Sequence, residues 1–192
     1  MKRIIVGISG ATGSIYGIRL LEVLLKAGVE THLILTESAK KNILIETDFS
    51  VEQVENLASV VHDCKNLDAS LASSSFHTDG MVVAPCSIKS LSALANSFNT
   101  NLLLRAADVV LREKRKLVVM VRETPLHQGH LMLMLRLSQT GAIILPPMPA
   151  FYNYPKTMDD IINQTVGKVL DLFKVEHNLF RRWDLNSYLG KK

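Results

Sequence analysis

Residues 7–17 read GISGATGSIYG, with glycine at positions 7, 10, 13 and 17, and they follow an apolar run from Arg3 to Ile8. Glycine lets a backbone pass close to a ligand, and the start of the next helix presents unpaired N–H groups. The segment can therefore cradle the phosphate of a nucleotide or flavin, through Gly10, Ala11 and Thr12; the plain alternative is a tight turn that needs glycine only for helix–strand packing. A second turn of small residues, PCSIKSLS over 85–92, supplies three hydroxyls and one cation at Ser87, Lys89, Ser90 and Ser92, with Ile88 between them. Two such turns suit one phosphate. The glycine spacing is not G-x-G-x-x-G, and Thr36 before Glu37 leaves the ribose-binding acid of dinucleotide enzymes unplaced, so FMN is preferred to NAD or FAD. Cys86 has no local base and reads as a small buried hydrophobe rather than a nucleophile.

Further along, Asn101, Arg105, Asp108 and Arg112 recur at three- and four-residue steps, one face of a helix. A solvated face with an Asp108–Arg112 pair of little energetic value explains them equally well. Arg122 and Glu123 end a strand candidate just before Thr124 and Pro125. A charged pair at that place is costly to desolvate unless it meets a polar ligand, which points to a clamp. His127 and His130 lack an evident third ligand, so no metal is expected. Residues 146–155, PPMPAFYNYP, are stiff and aromatic, suited to a planar ring or an isoprenoid, or else to a lid over the core.

The elements that must hold these residues alternate along the chain. Strand candidates are Arg3 to Ile8, Thr31 to Leu35, Met81 to Ala84, Leu117 to Val121 and Ala142 to Leu145. Between them Ser14 to Lys26 reads as a helix closed by Gly28, and Ser50 with Gln53 forms a capping box. Ser87 to Ser97, Asn101 to Glu113 and Leu126 to Thr140 read as helices, and Thr157 with Asp160 caps a last one ending near Phe173. Short buried strands alternating with amphipathic helices predict an α/β doubly wound parallel sheet, with ligands at the carboxyl ends of its strands. One domain is expected over residues 1–174, followed by a polar tail over 175–192 anchored by Trp183.

Composition is compatible with this. The chain has 192 residues, 47% apolar and 21% charged, enough for a core without staples. A net charge of +4 is too small to argue for nucleic acid, and two cysteines cannot build a disulfide framework. The basic, then apolar N-terminus stops at Gly7, too short for a signal peptide or a membrane span. A soluble, cytoplasmic protein is expected.

The segments 7–24, 44–49, 85–92, 105–116, 122–126 and 145–155 together closely resemble the UbiX-type flavin prenyltransferases, and the likeness runs from Met1 to about Phe173. The resemblance implies a Rossmann-like flavoprotein fold related to the homo-oligomeric flavin-containing cysteine decarboxylases. It implies a dodecamer with active sites at subunit interfaces. The implied reaction joins a dimethylallyl group from dimethylallyl monophosphate to N5 and C6 of reduced FMN without metal, giving prenylated FMN for a UbiD-type decarboxylase. Carried over by position, Gly10, Ala11, Thr12, Thr36, Ser87, Ile88, Lys89, Ser90 and Arg122 would bind FMN. Arg105, Arg112, Arg122, Tyr152 and Lys168 would bind the prenyl phosphate, with Glu123 beside them. Thr12, Glu46 and Glu123 would be catalytic, Glu46 as the acid near the reacting flavin. Thr12, Arg112 and Lys168 replace the family's commoner serine, lysine and arginine, keeping hydroxyl or charge but changing fork geometry. Two rivals are a cysteinyl-peptide decarboxylase, whose catalytic His and PASANSGT-like segment are missing, and a non-catalytic FMN-binding accessory subunit.

Overall fold

The computed structural model describes residues 2–183. Six strands form one sheet in the order β3-β2-β1-β4-β5-β6. They are β1 (Arg3–Ile8), β2 (Glu30–Leu35), β3 (Val60–His62), β4 (Gly80–Cys86), β5 (Lys116–Val121) and β6 (Ile143–Ile144). Every neighbouring pair is parallel. The helices are α1 (Ser14–Lys26), α2 (Glu37–Glu46), α3 (Val51–Glu55), α4 (Ile88–Ala95), α5 (Leu102–Arg112), α6 (Gln128–Gln139) and α7 (Met158–Leu172). The chain divides into two compact units, one ending at Pro147 and holding the sheet, the other beginning at Met148 and holding α7. No helix among the described residues is long and apolar enough to cross a membrane.

The strand runs are Val-, Ile- and Leu-rich because both faces of the sheet are covered. Ile5, Ile34, Met81, Val83, Leu117 and Val119 point to one face and join a core with Leu91 and Leu94 of α4 and Leu103, Ala106 and Val110 of α5. The alternate residues Ile4, Val6, Leu33, Val82 and Val118 are buried as well. Helix α1 lies close to the sheet at Gly17, where a Cβ would sit 2.4 Å from the Ala84 carbonyl oxygen and 2.6 Å from Ile8 Cδ1. That glycine serves packing, the plain alternative weighed for the segment. Both capping boxes form, Ser50 with Gln53 and Thr157 with Asp160.

The structure adds two elements to those expected. Helix α2 buries only Ala39 and Ile43 of its ten residues, too thin a stripe to read as a periodicity. Strand β3 has three residues, two of them exposed, and pairs only with β2. A polar chain ties this edge. Arg3 Nε donates to Glu30 Oε1 at 2.7 Å, and His32 Nε2 lies 2.9 Å from the same oxygen. The carboxylate can only accept, so Nε2 donates, and Nδ1 of a neutral His32 then accepts from His62 Nε2 at 2.9 Å. The strand order reverses between β1 and β4, the crevice where a doubly wound sheet offers its ligand site.

Candidate active site

At that crevice the two small-residue turns are stitched together by Ser9, a residue that sequence reasoning passed over. Ser9 is fully buried. Its Oγ donates to the Pro85 carbonyl at 3.0 Å and accepts the Ser87 N–H at 2.8 Å. Its own N–H donates to the Pro85 carbonyl at 3.1 Å. The turn after β1 is thus held beside the turn after β4. Neither partner is local in sequence, so spacing alone gives no signal for it.

The turns after β4 and β2 each open a helix with a side-chain cap. Ser87 N-caps α4, accepting the Ser90 N–H at 3.2 Å and donating to Ser90 Oγ at 3.1 Å. Thr36 N-caps α2 through the Ala39 N–H at 3.1 Å, and its own N–H donates to the Ile8 carbonyl. Asn42 Nδ2 donates to the Ala11 carbonyl at 3.0 Å, pinning the glycine turn from α2. At Gly10 a Cβ would stand 2.3 Å from Ser38 Cβ, so glycine is required by the approach of α2.

A cavity of about 870 Å³ opens here, lined among others by Gly10, Thr36, Ser87, Lys89 and Ser90. It lies within the roughly 300–1,000 Å³ of small-molecule and cofactor sites. Ser92, Asn96, Phe98, Asn101 and Leu104 extend the wall along α4 and α5. The residues fit an FMN-sized ligand: hydroxyls, one ammonium and the first-turn N–H groups of α2 and α4 supply donors, with apolar wall for a ring. The Ser14 hydroxyl, buried at the start of α1 without a hydrogen-bond partner among the described residues, leaves a further polar atom to satisfy.

Glu46 occupies a place that the sequence did not indicate. Gly13 stands at the N-cap of α1 with φ +97° and no side chain to cap with. Glu46, the last residue of α2, fills that role. Its Oε2 accepts the Gly13 N–H at 2.8 Å and the Ser14 N–H at 3.1 Å. The anion at the head of α1 is therefore the protein's own carboxylate, and α2 and α4 offer the N-termini that line the cavity. Both bonds fall on Oε2.

The remaining candidates separate. Thr12 is exposed on the glycine turn, and Ile88 packs its side chain against the core, so only its backbone can face a ligand. Arg122 follows β5, its N–H donating to the Cys86 carbonyl. Burial raises the Tyr16 phenol above its ordinary value, and the Arg122 charge pulls it partly back. Glu123 is exposed and accepts the Thr124 N–H at 3.0 Å rather than pairing with Arg122. Asp108 faces Arg105 at 3.9 Å, whereas Arg112 lies 3.7 Å from Glu113, so the expected Asp108–Arg112 pair is replaced by two loose ones. The i,i+3 step brings Arg105 to Asp108 first, and Glu113 is the acid next to Arg112 at the helix end. Cys86 is fully buried and burial pushes its thiol well up, consistent with an inert residue. The His127 and His130 rings lie with centroids 3.6 Å apart, tilted 31° to one another. In the second unit, Tyr152 meets Trp183 edge-on at 5.5 Å, and Lys168 Nζ lies 5.4 Å from the Phe180 ring centre. Trp183 is 60% exposed, an aromatic contact rather than a buried anchor.

The Flavoprotein family matches residues 1–170. The flavin prenyltransferase UbiX of Thauera aromatica is 61% identical over 185 residues, covering 96% of this chain and 95% of that protein. A dodecameric FMN-dependent UbiX-like decarboxylase from Escherichia coli O157:H7 superposes with a TM-score of 0.93 at 48% identity, over 95% of this chain and 99% of that one. The structure of AnUbiX, in complex with FMN and dimethylallyl pyrophosphate, superposes with a TM-score of 0.94 at 44% identity, over 95% of this chain and 97% of that one.

Proposed function

Since the chain belongs to the Flavoprotein family and is a flavin prenyltransferase making prenylated FMN, we propose that its donor is dimethylallyl monophosphate and that the residues named above divide between flavin and donor. The observation that carries the flavin half is the Ser9-stitched pair of turns opening on one cavity with Gly10, Thr36, Ser87, Lys89 and Ser90 in its wall. Gly10, Ala11 and Thr12 give backbone and hydroxyl contacts on one side, Ser87 to Ser90 on the other, and Arg122 adds a positive charge. Reduced FMN supplies, when bound, an electron-rich N5 and C6.

The chain's own residues do the rest. As the allylic C–O bond breaks, negative charge grows on the departing phosphate, and Arg105, Arg112, Arg122 and Lys168 stabilise it. Tyr152 shelters the apolar, positively charged fragment. Glu46, anchored through Oε2, takes the N5 proton on Oε1 as the first bond forms and returns it to the alkene left in the prenyl chain, and the departed phosphate takes the C6 proton as the second bond closes the ring. Thr12 on the glycine turn and Glu123, next to Arg122 in the chain, are the other two residues assigned to catalysis. AnUbiX is reported with the pyrophosphate; the monophosphate reading is supported by the absence of an Asp-rich metal motif from the sequence, since diphosphate ionisation normally calls on one.

The chain is proposed to assemble as a dodecamer, as the Escherichia coli relative does, with the donor site shared between chains. Its setting is the cytoplasm, and its product passes to a UbiD-type decarboxylase. The decisive experiment is the mass of flavin recovered after reduced FMN is incubated with either donor. A flavin heavier by one prenyl unit from the monophosphate, in chelator, is expected. Product from the pyrophosphate alone, or only after magnesium is restored, overturns the donor assignment.

A further inference from the structure

Helix α7 ends with an acid where a helix disfavours one. Asp171 lies in its last turn, near the negative end of the macrodipole, and that turn contains no basic residue. Its carboxylate is instead held by the segment that follows. Arg182 grips it in a two-pronged fork, Nη2 to Oδ1 at 2.7 Å and Nη1 to Oδ2 at 3.1 Å. His177 Nε2 lies 3.2 Å from Oδ1. Because His177 Nδ1 accepts the Leu179 N–H, the ring hydrogen is on Nε2 and donates to Asp171. The Arg182 guanidinium, more than His177, holds the Asp171 carboxyl below its ordinary value.

The helix surface is shaped for the same segment. At Gly167 a Cβ would stand 2.5 Å from Phe180 Cε1 and 2.8 Å from His177 Cε1, so only glycine admits these rings. Phe180 in turn lies 5.4 Å from Lys168 Nζ and 5.7 Å from Arg182 Cζ. The residue after Arg182 is Trp183, whose ring meets Tyr152 edge-on with an interplanar angle of 87°. Trp183 is 60% and Tyr152 37% exposed, so the pair is an open aromatic wall.

We infer that Asp171 is a positioning residue for the prenyl donor: by gripping Arg182 and His177 it folds residues 177–182 onto α7 and sets Trp183 against Tyr152 as the wall that receives the apolar dimethylallyl group. The inference rests on the reading that Tyr152 and Lys168 border the donor. No group changes protonation in the step; the clamp acts only through geometry.

Trp183 is the sole tryptophan of the chain, so its fluorescence reports this segment alone. The test uses the full-length assembled protein carrying Asp171→Asn, Arg182→Gln or Gly167→Ala, with Asp171→Glu as the conservative variant and Lys168→Ala as a control. In FMN-free protein, Asp171→Asn should red-shift the emission and raise acrylamide quenching. With FMN loaded, the donor KM should rise about tenfold, the scale of one charged hydrogen bond, while FMN affinity and melting temperature hold. Gly167→Ala should reproduce both effects from the other side of the contact, and Asp171→Glu should recover part of them. Unchanged emission in Asp171→Asn and Arg182→Gln overturns the clamp. Altered emission with an unchanged donor KM, while Lys168→Ala raises that KM, overturns the positioning role. An unchanged KM in Lys168→Ala as well removes the underlying reading of this segment, and the inference with it.

Discussion

Glu46→Gln separates the capping role that the structure shows for this side chain from the proton-accepting role proposed for it. As a cap, Glu46 satisfies the Gly13 and Ser14 N–H groups at the head of α1. Losing such a cap costs about 0.5–2 kcal/mol, and the charge–dipole attraction adds about 0.3–1 kcal/mol. Glutamine keeps an amide oxygen for the two N–H groups, so only the charge contribution goes, and the melting temperature should fall by no more than about 4 °C. Glu46→Ala loses the cap and the charge together and should melt about 2–12 °C lower. Were capping the whole role, even 1 kcal/mol passed in full to the barrier would slow turnover only about fivefold. A proton-accepting role predicts far more, roughly 10²-fold or greater, because glutamine cannot take the proton. The assay is single-turnover formation of prenylated flavin from pre-bound reduced FMN, followed by mass, with FMN affinity and melting measured on the same samples. The expectation is a 10²-fold slower step with FMN affinity within about twofold of the parent. Turnover within about fivefold of the parent in Glu46→Gln refutes the proton role and leaves Glu46 as the cap of α1.

Ser9→Ala strands the half-buried Ser87 N–H, so it should cost about 1–3 kcal/mol in chemical unfolding and weaken FMN binding in titration, while Ser87→Ala, which keeps that N–H bonded to Ser9, should weaken FMN binding with less loss in unfolding. Lys168→Ala should raise the donor KM and spare FMN affinity, and Lys168→Arg, with its fork, should preserve or lower that KM in steady-state kinetics. Acid stability follows from the β3 edge: burial, and then the neighbouring His32, holds the His62 imidazole below its ordinary value of 6.5, so the unfolded chain protonates first and this contribution, present above pH 6.5, is lost as pH falls below it. His62→Gln should therefore flatten melting temperature against pH between 7 and 5. The Glu30 carboxyl, lowered to about 2 by Arg3 and then His32, makes a contribution that is complete above its ordinary 4.5 and lost as pH falls toward about 2, so that phase should survive the substitution.

What the sequence revealed of the fold is what burial writes into short stretches. Strand β4, and β1 and β5 after their first residues Arg3 and Lys116, are apolar because both faces are covered, and α5 sets an apolar side against Arg105, Asp108 and Arg112. Helix α2 was illegible because Leu44 and Ile45, which a periodicity would place inside, are 63% and 80% exposed. The site divides the same way. Gly10, Ser87 and Ser90 are candidates on local turn and cap chemistry, each acting within a few residues, whereas Thr36 enters only through the family resemblance, although the structure shows it capping α2. Ser9 and Glu46 act across the fold, on partners 76 to 78 and 32 to 33 residues away, and a hydroxyl or carboxylate in the sequence does not say which distant N–H it will meet.

The donor half poses a different physical problem. Arg105 and Arg112 have acidic neighbours at 3.9 and 3.7 Å, outside good hydrogen-bond geometry, and their side chains are 36% and 51% exposed. Exposed pairs of this kind are worth about 0–1 kcal/mol, so a phosphate bearing up to two charges can take either arginine from its acid at little cost. Arg182 is the contrast: its fork to Asp171 closes at 2.7 and 3.1 Å, and a ligand anion would have to break charge-assisted bonds already made. Loosely paired cations therefore suit a phosphate that must bind and then leave with added charge, while tightly paired ones suit holding the chain that surrounds it. On this argument Arg105→Gln and Arg112→Gln should each raise the donor KM by about tenfold without moving the melting temperature, since each removes a ligand contact and almost no folding energy. A melting loss of several degrees with an unchanged donor KM would reverse the assignment, making these arginines part of the scaffold.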